Sequence, residues 1–86
     1  MEKIYEAVLR HASKNTETDK VELTIYLNKH TDMKITVGGL AINTIIRQSY
    51  NHYMKKKEYE NAYLILDTYK PEVYIWKVIN KYSKSN

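Results

Sequence analysis

The stretch KVELTIYLNKHTDMKITV, residues 20–37, decides how this chain is read. Val21, Leu23, Ile25 and Leu27 alternate with Glu22, Thr24, Tyr26 and Asn28. A period of two marks a half-buried strand, because successive side chains leave opposite faces of the backbone. Residues 29–32, KHTD, form a turn, and Met33, Ile35 and Val37 then alternate again. The stretch predicts an antiparallel β-hairpin with Val21, Leu23, Ile25, Leu27, Met33, Ile35 and Val37 inward. Two strands alone are marginally stable. Helices must cover the apolar face, or a second copy of the chain must extend the sheet.

The flanks read as helices. Over residues 2–14, Ile4, Tyr5, Val8, Leu9 and Ala12 share one face. Gly38-Gly39, the two glycines of the chain, join the hairpin to the next helix and read as a bend. That helix, about 40–55, carries an inward stripe of Ile42, Ile45, Ile46, Ser49, Tyr50 and Tyr53. Lys55-Lys56-Lys57 closes it, since cations suit the C-terminal end of the helix dipole. A helix over about 58–69 follows, with Tyr59, Ala62, Tyr63, Leu66 and Tyr69 inward. Pro71 opens a last helix over about 71–82. The 86 residues make one domain of α+β class: an N-terminal helix, a two-stranded antiparallel hairpin, then three C-terminal helices.

Tyr53, Tyr59, Ala62 and Leu66 in YMKKKEYENAYLIL give the pair of helices at 40–69 a resemblance to one tetratricopeptide-type hairpin. The match covers about a third of the chain, and arrays of that type need about three repeats. Tyr50 stands where the two helices should touch through a small residue, and Tyr69 replaces a later alanine. The resemblance implies an antiparallel helical hairpin and no family membership.

Composition narrows the function. The chain has no cysteine, which excludes disulfides, thiolate metal sites and a cysteine nucleophile. No run approaches a transmembrane helix, and the N-terminus is charged and amphipathic, unlike a signal peptide, so a cytoplasmic protein is expected. His11, His30 and His52 show no metal-ligand spacing and read as surface or boundary residues. No serine stands beside a base, so no enzyme, cofactor or metal is expected. An isolated Gly-Gly before a helix lacks the remainder of a phosphate-binding motif.

The net charge of +4 lies wholly in residues 40–86, which hold eight Lys/Arg and four Asp/Glu; residues 1–39 hold six of each. A basic half implies an acidic partner. The first expectation is a small non-catalytic protein-binding module. Tyr26, Tyr50 and Tyr74 would supply contact area, with Lys77 and Lys81 facing an acidic protein surface. Lys, Asn, Ile and Tyr make up 37 of 86 residues, all with AT-rich codons. That composition and the small size suit a viral or mobile-element inhibitor that masks a host defence protein in the host cytoplasm. The alternative is a nucleic-acid-binding regulator using Thr44, Arg47, Gln48, Asn51, Lys55, Lys56 and Lys57 on one helix face and its end. Homo-oligomers joined through hairpin edges are compatible with either.

Overall fold

The computed structural model describes residues 3–14 and 19–70. They form four helices: α1 (Ile4–Ser13), α2 (Lys20–His30), α3 (Ala41–Lys55) and α4 (Tyr59–Tyr69). The described residues contain no strand, so the α+β class and the hairpin are both incorrect. Self-association through hairpin edges therefore has no edge to use. The helix expected over 71–82 lies outside the described residues.

The alternating stretch is a helix because period two, over four positions, contains two helical pairs. Leu23 and Leu27 are four apart and fully buried. Val21 and Ile25 are also four apart but lie on another face, 45% and 49% exposed. A helix uses half of the alternation for the core and leaves the other half in solvent. Thr24 and Thr31 complete the buried face, and their hydroxyls are satisfied within the helix by the carbonyls of Lys20 (2.7 Å) and Leu27 (2.6 Å). The start is set by Asp19, whose Oδ1 accepts the Glu22 N–H at 2.7 Å. The spacing Asp19-x-x-Glu22 resembles the capping-box pattern at a helix N-terminus.

Residues 33–36 lie in neither helix nor strand, and the hydrogen-bonding partner of Ile35 is a side chain. Ile35 N–H donates to Asn28 Oδ1 and Asn28 Nδ2 donates to Ile35 O, both at 2.8 Å. One carboxamide thus satisfies a backbone donor and acceptor as a neighbouring strand would. Ile35 is buried, whereas Val37 is half-exposed, against the expectation that it points inward. The bend follows: Gly39 N–H donates to Thr36 O at 3.0 Å, and Gly38 takes φ 85°. Gly38 occupies the third position of this turn, where a positive φ favours glycine.

α3 and α4 form the helical hairpin the sequence implies, closed by Lys56, Lys57 and Glu58. Glu58 N–H donates to Tyr53 O (2.9 Å) and Lys57 N–H to Met54 O (3.0 Å). This is a Schellman closure, with Lys57 rather than glycine in the left-handed region at φ 62°. Ile42, Ile45, Ile46, Ser49 and Tyr53 are buried as expected, and Tyr50 packs partly buried on the core. In α4 the buried set is Ala62, Ile65 and Tyr69, while Tyr59 and Tyr63, expected inward, are half-exposed. The two stripes share Ala62 and Tyr69. Tyrosine's polar tip tolerates the rim, so the apolar Ile65 takes the centre. α1 contributes Ala7, Val8 and Ala12 to the same core and touches each of the other three helices.

His11 belongs to this core rather than to the surface: it is 6% exposed. Its Nδ1 lies 2.7 Å from the Tyr69 hydroxyl, which ties α1 to the end of α4. That hydroxyl is also 3.4 Å from Val8 O. The Tyr69 hydroxyl therefore bridges the His11 ring and the Val8 carbonyl, to which it donates. Burial holds the His11 pKa below its ordinary value, with Lys14 adding to the effect and Glu22 and Asp19 opposing it. Burial also raises the Tyr69 hydroxyl, which stays protonated.

Candidate nucleic-acid interface

The seven residues singled out on and after α3 separate in space. Thr44, Gln48, Asn51 and Lys55 recur at intervals of three and four along α3 and are all exposed. Arg47 lies to one side of that row and is half-buried. Lys56 caps α3 and pairs with Glu58 at 3.5 Å on the surface, a contact worth little in stability. Lys57 is exposed in the closing turn.

Gln48, Asn51 and Lys55 line a groove of about 320 Å³ together with Tyr5 and His52. Among the described residues its lining contains no carboxylate. The rings of Tyr5 and His52 lie 4.5 Å apart between centroids at an interplanar angle of 32°. Tyr53 meets the His52 ring edge-on, at 5.0 Å and 79°, a favoured aromatic geometry. The Tyr5–His52 pair also lines an adjoining groove of about 290 Å³ with Lys3, Lys56, Glu6 and Glu58. In that groove the Tyr53 hydroxyl is held above its ordinary pKa by burial, with Glu6 and Glu58 adding to it, and stays a neutral donor. The aromatic pair therefore divides a mixed-charge hollow from an acid-free one.

This arrangement follows from the core stripes. Ile42, Ile45, Ile46 and Ser49 turn α3 so that Gln48, Asn51 and Lys55 face out, with His52 at the boundary. Ala7 and Val8 turn α1 so that Tyr5 sits at the edge of the same seam. Sequence reasoning missed Tyr5 and His52 as site residues. Nothing local joins positions 47 residues apart. One signal was available: residues 33–57 hold Lys34, Arg47 and Lys55–Lys57 and no Asp or Glu.

The protein-contact candidates lie elsewhere. Tyr26 is half-buried between His11 (5.2 Å) and His30 (4.4 Å), with Lys14 Nζ 4.5 Å from its ring centroid. Tyr50 is half-buried, and burial followed by Tyr63 raises its pKa. Tyr74, Lys77 and Lys81 lie outside the described residues.

Among the described residues no group of three or more His, Asp or Glu could hold a metal ion, and no helix is long and apolar enough to cross a membrane. The first turn of α3 has neither a capping side chain nor an acidic residue, and Asn43 Oδ1 is buried there with no hydrogen-bond partner. No family model matches the chain, and no curated protein or solved structure matches it either.

Proposed function

We propose that the protein binds nucleic acid through the α1–α3 seam. The observation that carries this reading is the groove in which Gln48, Asn51 and Lys55 meet Tyr5 and His52, with no carboxylate among the described residues that line it. Amide side chains offer a donor and an acceptor to base edges, and lysine offers charge to phosphate. The protein-binding reading draws less support, because Tyr26 and Tyr50 are half-buried against neighbouring side chains rather than presented as exposed anchors.

The test is a fluorescence-anisotropy titration of labelled oligonucleotides across a salt series. Affinity should fall steeply as salt rises, because phosphate contacts release counterions. Lys55→Ala should reduce both affinity and the salt slope, by about one counterion. Absence of binding at low salt would sink the proposal and return precedence to an acidic protein partner.

A further inference from the structure

Resting on that reading, we infer that the ligand is single-stranded nucleic acid, with one base stacked on the Tyr5–His52 pair. Two observations favour a single strand over a duplex. The first is the connection of the helices. A helix-turn-helix places its second helix in the major groove after a turn of three or four residues. α2 and α3 are joined by residues 31–40, far longer than that turn. The helix that does follow a short turn is α4, which carries Glu60 and Asp67 and would meet phosphate with like charge.

The second observation is the composition of the groove. Double-stranded DNA hides the faces of its bases, so an aromatic platform has nothing to stack on. A single strand exposes those faces, and stacking on aromatic side chains is how such strands are commonly held. Tyr5 and His52 line the groove as a pair with ring centroids 4.5 Å apart, and Tyr53 meets His52 edge-on. Gln48 and Asn51 line it too, placed to meet the edge of a base resting on the pair, and Lys55 supplies a cation for the flanking phosphate. The volume of about 320 Å³ is at the small end for ligand sites and suits one nucleotide rather than a run of them. RNA and DNA share the base faces and phosphates this site recognises, so the strand chemistry is left to the experiment.

The experiment measures the affinity of the full chain for a labelled ten-nucleotide DNA, the RNA of the same sequence and the corresponding DNA duplex. Tyr5→Ala and Tyr5→Phe are measured beside the wild type, each checked by far-ultraviolet circular dichroism. At least one single strand should bind tenfold or more tightly than the duplex. Tyr5→Ala should lose about tenfold in that affinity, whereas Tyr5→Phe, which keeps the ring, should stay within twofold. A duplex bound as tightly as the single strands overturns the inference while leaving nucleic-acid binding in place. So does wild-type affinity in a folded Tyr5→Ala, or an equal loss in Tyr5→Phe. Failure of all three oligonucleotides to bind removes the inference and the reading beneath it together.

Discussion

α2 and α3 face the same core and reach it differently. In α3 the apolar side chains gather into one stripe, Ile42, Ile45, Ile46 and Tyr53, all buried. In α2 they are divided: Leu23 and Leu27 enter the core, while Val21 and Ile25 remain half in water. α3 has no side-chain cap at its start, whereas α2 is capped by Asp19 and braced by Asn28. A helix with a full stripe is held chiefly by packing. A helix with half a stripe relies more on local hydrogen bonds, and its sequence looks less helical for that reason.

The sharpest way to break this comparison is within α2. Leu27→Ala should lower stability by about 2–5 kcal/mol, since it opens a cavity in a filled core. Ile25→Ser, two positions away in the same alternation, should cost well under half as much. Urea denaturation measures both. Equal losses would mean that the alternation is buried as one face, as in a strand. Next in size is Asn28→Ala, which leaves the Ile35 backbone without two partners. A loss of about 1–3 kcal/mol is expected, and hydrogen exchange at Ile35 should accelerate selectively.

Asp19→Ala should remove about 1 kcal/mol by uncapping α2. Amide exchange at Glu22 should rise while exchange within α3 stays unchanged. Lys57→Gly tests the other helix end. Glycine relieves the left-handed strain but adds freedom to the unfolded chain, so a gain of about 0.5–1 kcal/mol is expected. A loss would show that the lysine side chain contributes more than its backbone conformation costs.

The remaining prediction concerns slope rather than level. His11 has a folded pKa below its unfolded value near 6.5, so the unfolded chain binds its proton first. Its contribution to stability is fully present above that unfolded value. It is lost as pH falls from about 6.5 through the lower folded value. The cause is burial, which disfavours the charged imidazolium. His11→Asn should therefore flatten the acid side of the stability profile, and an unchanged slope would place the acid sensitivity elsewhere.

The legible parts of the chain were those with one competing pattern. α1, α3 and α4 each carry apolar residues at spacings of three and four, and their bounds are close to those the spacing predicts. In α4 the choice of stripe failed by one flank, because tyrosines at 59 and 63 count as apolar in a pattern but sit at a rim in the fold. The candidate interface was half legible. Gln48, Asn51 and Lys55 lie on one row and read together, whereas the aromatic pair that completes the groove joins two helices from positions 47 residues apart. Exposure by itself gave no guide to it, since Thr44 and Gln48 are both exposed yet only Gln48 lines the groove.

By itself, the sequence determined the helical periods, the bend at Gly38-Gly39 and the charge of the second half, because each depends on near neighbours or on plain totals. Asp19-x-x-Glu22 was also written there, as a local signal for a helix that the stronger alternation masked. Only the tertiary structure decided that residues 20–30 coil. A run of four alternating apolar residues satisfies a strand or two faces of a helix, and the choice is made by what covers Leu23 and Leu27. The same holds for His11 against Tyr69 and for Tyr5 against His52. Such contacts join distant positions through the packing of whole helices, and no local spacing encodes them.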